Sequence, residues 1–308
     1  LVFQDVKKKL VILKIKIPVM MRICKAFYIL LVILSFTACS KEGNDPAQQG
    51  SEAIIIDHSS VKLASIPSEW ISAARQELHI AFSHTSHGSQ LTDGMSGLVS
   101  FKGDSYSWND GGTGGVLDLR DYAMPGDLGN PDRTSWAQST RDYLDSNPGI
   151  NVVAWAWCGE VSTASENDIN TYLDLMSALE ADYPDVKFVY MTGHLDGTGL
   201  TGNLHLRNEQ IREYCRANKK ILYDFADIES YNPDGTYFGD KKPDDGCNYD
   251  SDNNGTKEGN WALEWQGSHT EGTDWYTCSA AHTQPVNANM KAYAAWWLWA
   301  RLAGWSGK

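Results

Sequence analysis

From residue 68 onward the apolar and polar positions alternate between helical and strand-like patterns. "SEWISAARQE" (68–77) has a serine at its start and helical spacing, and "LHIAFS" (78–83) is a short apolar strand. After a long Gly/Asp-rich stretch, "SWAQSTRDYLDS" (135–146) reads as a helix and "INVVAWAW" (150–157) as the most β-like run in the chain. "SENDINTYLDLMSALEADYP" (165–184) predicts an amphipathic helix capped by Ser165 and stopped at Pro184. "VKFVYMTG" (186–193) predicts a strand, "GNLHLRNEQIREYCRANK" (202–219) a helix, and "KILYDFADI" (220–228) a strand. "QPVNANMKAYAAWWLWARLAG" (284–304) is the last helix, and 229–283 is a long insertion rich in Asp, Asn, Gly and Trp.

Strands that alternate with helices and read as continuous apolar runs imply an α/β domain: a three-layer α/β/α sandwich around a central parallel sheet. Ligands of such sheets bind outside the carboxyl ends of the strands. Those ends read "HTSHG", "CGEVS", "GHLDG" and "ESYNPDG", so each strand leads into polar or reactive residue types. No strand is followed by GxGxxG or a Walker pattern, which argues against a nucleotide enzyme.

The first 38 residues stand apart. From Met20 to Cys39, "MMRICKAFYILLVILSFTAC" has a short basic start, an apolar run and small residues before a cysteine, the pattern of an export signal. It resembles a bacterial lipoprotein signal with Cys39 as the lipidated residue, although Phe36 stands where an aliphatic is usual. "SKEGND" after it resembles the acidic export tag of surface lipoproteins in Bacteroides-like bacteria. The expectation is a membrane tether through Cys39 at the outer membrane or cell surface, a flexible polar linker over 39–60, and one domain over 61–308. Residues 1–19 precede the better start at Met20 or Met21 and are expected to be an over-extended reading.

The chain has 26 basic and 39 acidic residues. Removing residues 1–38 leaves 19 basic against 38 acidic. So acidic a surface disfavours nucleic acid and anionic membranes, because phosphate binding needs clustered Lys and Arg. In an oxidising compartment Cys247 and Cys278, both in the loop-rich insertion, are the expected disulfide, while Cys158 and Cys215 read as small buried residues.

With its element order and a few short blocks, the stretch from about 77 to 304 resembles the SGNH (GDSL-like) hydrolases, a superfamily of esterases and deacetylases. "HTS" (84–86) stands where the family has its GDS block, so the resemblance makes Ser86 the nucleophile. "WCGEVS" (157–162) follows the middle strand where the family has a Gly and an Asn. "SAAH" (279–282) precedes the last helix where the family has Asp-x-x-His, making His282 the base. The chain departs from the family at His84-Thr85 in place of Gly-Asp, at the missing Asn unless Glu160 substitutes, and at Ser279 in place of the Asp. Either another acid such as Asp274 or Glu271 orients the base, or the pair acts as a dyad, or the chain is not an esterase.

Read on chemistry alone, a serine needs an adjacent base to attack a carbonyl, and histidine suits that task near neutrality. Backbone N–H groups at Gly88 and Ser89, with Gly112 in "DGGTGG", would form the oxyanion donors. Capping of the following helix is the structural alternative for Ser86 and Ser89. His84, His87 and His194, with Glu160 or Asp196, form a second constellation that would suit a catalytic zinc. "DSDNNG" (250–255) offers Asp250, Asp252 and Asn254 as calcium ligands, with Trp261 where a bidentate Glu is expected. Twelve tryptophans are present. Those of the last helix read as core, whereas Trp261, Trp265 and Trp275 would line a sugar subsite. The reading is thus a cell-surface serine hydrolase of an acylated carbohydrate, with a non-catalytic glycan binder and a metal-dependent hydrolase as alternatives.

Overall fold

A computed structural model of the chain describes residues 52–157 and 159–308; the signal segment, Cys39 and Cys158 lie outside them. The first described strand is β1 (Ile54–Ile56), followed by α1 (Ser68–Glu77), β2 (His79–His84) and α2 (Ser89–Lys102). Two strands, β3 (Trp108–Asn109) and β4 (Leu117–Asp121), precede α3 (Ser135–Ser146) and β5 (Val152–Ala156). Then come α4 (Glu160–Thr163), α5 (Glu166–Asp182), β6 (Lys187–Met191), α6 (Asn203–Ala217), β7 (Ile221–Tyr223) and α7 (Phe225–Glu229). A small hairpin of β8 (Asn248–Tyr249) and β9 (Gly259–Asn260) leads to α8 (Trp261–Ser268), and α9 (Pro285–Leu302) closes the fold.

The sheet has seven parallel strands in the order β1-β7-β6-β5-β2-β4-β3. It is an α/β/α sandwich, as the alternating pattern implies. Alternate residues of each strand enter opposite cores. Ile80 and Phe82 of β2, Val152 and Ala154 of β5, and Val189 and Met191 of β6 face α1, α2, α8 and α9. Ala81, Val153, Trp155, Phe188 and Tyr190 face α3, α5 and α6. Burial on both faces is why these strands lack a polar alternation.

The chain doubles back after β4, so the ends of β2 and β5 flank the crevice where such sheets take ligands. Helices α2 and α9 approach closely over this edge. A Cβ at Gly94 would lie 2.2 Å from the Ala288 carbonyl oxygen, so only glycine fits there. Trp296 and Trp299 of α9 are fully buried, as the packing reading expects. Among the described residues no helix is long and apolar enough to cross a membrane.

Several elements differ from the sequence reading. The polar linker expected over 39–60 contributes β1, whose three isoleucines pair with β7. "KILYDFADI" is a strand only to Tyr223. Asp224 then accepts the Asp227 N–H and caps α7. Strand β4 lay unrecognised in the Gly/Asp-rich stretch because Asp118 and Arg120 interrupt its apolar positions.

The expected Cys247–Cys278 disulfide is absent, and both thiols are free. Cys247 Sγ is 3.2 Å from Thr283 Oγ1, whereas Cys278 Sγ faces the Pro285 carbonyl and Asn289. The loop is held instead by polar contacts such as Asn260 Nδ2 donating to the Gly246 carbonyl at 2.8 Å. Cys215 is buried in the core of α6, as expected.

Candidate functional site

Strand β2 ends at His84, and the chain turns through Thr85–Gly88 into α2. The turn is tight: a Cβ on Gly88 would fall 2.2 Å from His84 Cβ and 3.0 Å from Ala156 Cβ. Among the described residues no side chain caps α2; Ser89 Oγ instead donates to the Ser86 carbonyl at 2.8 Å. The turn therefore holds Ser86, half-buried, directly beside His87 at the carboxyl edge of the sheet.

His87 is the centre of a stack of three imidazoles. Its ring lies 3.6 Å from that of His194, which follows β6, with planes 2° apart. On its other contact, the His282 ring is 4.4 Å away at 8°. His87 Nε2 donates to Asp245 Oδ2 at 2.8 Å. Burial works to raise the Asp245 carboxyl, but the His87 hydrogen bond, the nearby imidazoles and the Gly246 N–H together hold it below the usual carboxylate value. The structure thus brings together His87 and His194 of one expected constellation and His282 of the other, while Asp245, from the long insertion, carried no periodic or motif signal.

The lone pair of His194 has a defined direction. Its Nδ1 is 2.8 Å from the Leu195 carbonyl oxygen, which can only accept, so Nδ1 carries the proton and Nε2 the lone pair. Burial pushes this imidazole below the ordinary histidine value, opposed by the Glu229 carboxylate. Asn208 fixes the preceding residue by accepting the Gly193 N–H at 2.9 Å and donating to its carbonyl at 3.2 Å. His282, on the exposed rim, has φ 65°, a left-handed conformation that costs a side chain about 1–2 kcal/mol and persists only where the surroundings hold it.

Other residues take different places. His84 is not open to a substrate. Its ring is fully buried, with Nδ1 donating to the Thr85 carbonyl at 2.7 Å and Nε2 2.7 Å from Asp121 Oδ1. It braces the ends of β2 and β4 and does not join His87 and His194. Gly112 is a correction: its loop precedes β4, and because β2 and β4 run in parallel with His79 opposite Asp118, that loop lies at the amino-terminal edge. The Gly111 N–H there donates to Asp118 Oδ1 at 2.9 Å. Glu160 begins α4 after β5 and lines a shallow polar pocket with Asp127, Asn130 and Arg133.

Neither acid suggested as a partner for the base occupies that role. Asp274 accepts the Thr270 N–H at 2.8 Å within its own turn, and Glu271 pairs locally with Trp275. The acid beside Ser279 is Asp93 of α2. Burial raises its carboxyl, while the hydroxyls of Ser89 and Ser279 lower it and the Asp121 charge raises it further. Asp196 is bound to Thr198.

The imidazole stack bears on metal binding. The nearest ligand atoms of His87, Asp245 and His282 lie within 4.8 Å of one another. A metal sits close to the plane of each imidazole it binds, at about 2.0–2.1 Å from nitrogen for zinc. Near-parallel planes do not meet at such a point, so these rings would have to turn to share an ion. In the "DSDNNG" loop, Asp250 accepts the Asn254 and Gly255 N–H groups at 3.0 and 2.9 Å, and Glu258 supplies the third nearby carboxylate in place of Trp261.

Of the proposed sugar-facing tryptophans, Trp261 is core, packed against Phe238. Trp275 is partly buried, and its Nε1 is directed at the His269 carbonyl at 3.4 Å. Trp265 donates to Asp234 Oδ2 at 2.9 Å and borders a cleft of about 380 Å³ with Tyr231, Asn232, Asp274 and Tyr293. The wall of that cleft is the first half of α9, the helix that His282 leads into.

Chemically, the edge offers a hydroxyl at a helix-initiating turn, a neutral imidazole with a directed lone pair, and a second imidazole oriented by a carboxylate. The Gln90 and Leu91 N–H groups close the turn onto the His87 and Gly88 carbonyls at 3.2 and 3.1 Å, which leaves the Gly88 and Ser89 N–H groups as its candidate donors. This is a set able to move protons around an acyl carbon. The chain matches no protein-family model and no curated protein.

Proposed function

We propose that this chain hydrolyses an ester, with Ser86 as nucleophile and the imidazole stack as its acid–base apparatus. The carrying observation is the convergence of His87, His194, His282 and Asp245 at the strand edge where Ser86 begins the turn into α2. Ser86 Oγ adds to the acyl carbon as its proton passes to an imidazole nitrogen, and the oxyanion is met by the N–H groups of Gly88 and Ser89. Collapse expels the alcohol, which takes that proton, and water then releases the acid from Ser86 by the same path.

His282 is the base in this reading. It is on the rim, and its ring is oriented by His87, which Asp245 holds. A carbohydrate ester at the cell surface is the proposed substrate, supported by the cleft beside α9, where aromatic rings lie among amide and carboxylate groups. The resemblance to SGNH hydrolases supports the same chemistry. A fluorophosphonate probe tests it: Ser86 Oγ displaces fluoride from phosphorus, and peptide mapping is expected to find the adduct on Ser86, with His282→Ala slowing its formation. Labelling elsewhere, or none, would count against Ser86 as nucleophile.

A further inference from the structure

Behind the imidazole stack is a charged group that the proposed reaction does not use. Lys291, in the middle of α9, is fully buried, as are Glu229 at the end of α7 and Gln90 in the first turn of α2. Lys291 Nζ donates to Glu229 Oε1 at 2.6 Å and to Gln90 Oε1, and it sits 3.9 Å from the centre of the Phe225 ring. Burying an ion pair gives little net stability, because desolvation offsets most of the attraction. Its value here lies in where its other arms end. Glu229 Oε2 accepts the Leu195 N–H at 2.8 Å, and Gln90 Nε2 donates to the Ala281 carbonyl at 2.5 Å. Leu195 supplies the carbonyl that fixes the His194 tautomer, and Ala281 precedes His282 with its left-handed backbone.

We infer that Lys291, Glu229 and Gln90 are positioning residues: a buried clamp that holds the backbone at Leu195 and Ala281, fixing the His194 Nε2 lone pair and the place of His282. The inference rests on the reading of this edge as the reactive site. It also explains why a lysine stands inside a helix otherwise packed with Ala and Trp, where Met would fit the apolar surroundings. The charged and titratable groups facing His194 are Glu229 from α7, His87 from the turn into α2 and Asp245 from the insertion. Of these, Glu229 binds the backbone of the His194 loop, at the Leu195 N–H.

The test is a long-range proton–nitrogen correlation spectrum of the full chain labelled at histidine, with His194→Ala identifying the His194 signals. A protonated and an unprotonated ring nitrogen have well separated shifts, so the spectrum reports the tautomer without any substrate. Wild type is expected to show His194 as a single Nδ1–H tautomer. Two paired variants separate holding from stability. E229L/K291M removes both charges together, a change that often leaves buried pairs as stable as before, yet it releases Leu195 and is expected to give a mixture of tautomers. E229Q/K291M keeps an acceptor for the Leu195 N–H and is expected to retain the wild-type spectrum.

Ester turnover is expected to fall about 100-fold in the first variant and by a smaller factor in the second, which keeps the Leu195 acceptor but still lacks the lysine's hold on Gln90. A wild-type His194 protonated on Nε2, or an unchanged spectrum in folded E229L/K291M, would overturn the clamp. If E229L/K291M does not fold, the clamp stands only if both wild type and E229Q/K291M show the single Nδ1–H tautomer. Absence of ester hydrolysis with these spectra as expected would reject the proposed reaction and leave the clamp in place.

Discussion

Gly88 is the point at which packing and proposed chemistry depend on a single missing atom. In Gly88→Ala the new Cβ would lie 2.2 Å from His84 Cβ, 2.7 Å from His84 Cγ and 3.0 Å from Ala156 Cβ. Ordinary carbon contact begins near 3.4 Å, so the turn must move by about 1 Å. Its neighbours cannot yield easily. His84 is held at both ring nitrogens, and Ala156 is a strand residue paired with His84 across the β2–β5 ladder. Backbone φ is −65°, which alanine accepts, so the effect comes from the clash alone. Overpacking of this kind costs about 1–3 kcal/mol, which lowers the melting midpoint of a domain this size by about 2–10 °C. A displacement of about 1 Å at the nucleophile turn predicts roughly a hundredfold loss of turnover. Gly267→Ala in α8 is the control, since nothing lies within 4 Å of its Cβ, and it is expected to leave stability unchanged or slightly raised. Thermal unfolding by circular dichroism and initial ester rates measure both effects. A Gly88→Ala protein with wild-type midpoint and rate would refute the packing argument.

Further expectations follow from buried charge and titration. Arg212 donates to both oxygens of Asp224 at 2.6 and 2.7 Å with both side chains buried, so Arg212→Met is expected to cost about 3–5 kcal/mol by leaving that carboxylate uncompensated, read as a lower urea midpoint. Burial pushes the Cys215, Cys247 and Cys278 thiols up to about 12. These three are therefore expected to be unreactive toward a disulfide reagent in the native protein at pH 8 and to react after unfolding without prior reduction. A Cys247–Cys278 linkage in the peptide map would contradict this. His194 is lowered in the folded state, so as pH falls below about 6.5 the unfolded chain takes up that proton first and stability declines. Asp245 is also lowered, and its contribution, present above about pH 3.9, is lost as pH falls through its folded value. Urea midpoints measured against pH are expected to fall on acidification from 6.5, with a shallower slope in His194→Asn.

The parallel sheet was legible because strands buried on both faces are written as unbroken apolar runs, as in "NVVAWA" and "KFVYM". Strand β4 and helix α7 were hidden for opposite reasons. Charged side chains break the apolar run of β4, whereas α7 continues the run of β7 and is separated from it only by the Asp224 cap. At the site, the rule that ligands gather at carboxyl ends pointed to His87 and His194, whereas His282 came from the resemblance of "SAAH" to the last SGNH block. The rule did not apply to Gly112, whose glycine-rich loop resembles an oxyanion donor but enters β4 from the other edge. The carboxylate that orients His87 and the buried partners of Lys291 join across long stretches of chain, 158 residues from His87 to Asp245 and 201 from Gln90 to Lys291. No local pattern encodes such pairings.

The proposed nucleophile is tested most directly by initial rates on 4-nitrophenyl acetate and on an acetylated oligosaccharide, comparing wild type with Ser86→Ala and His282→Ala, each with and without EDTA. The account predicts turnover by wild type that EDTA leaves unchanged, and a loss of about a thousandfold or more in either variant. Turnover that survives in Ser86→Ala, or that EDTA abolishes, would contradict it.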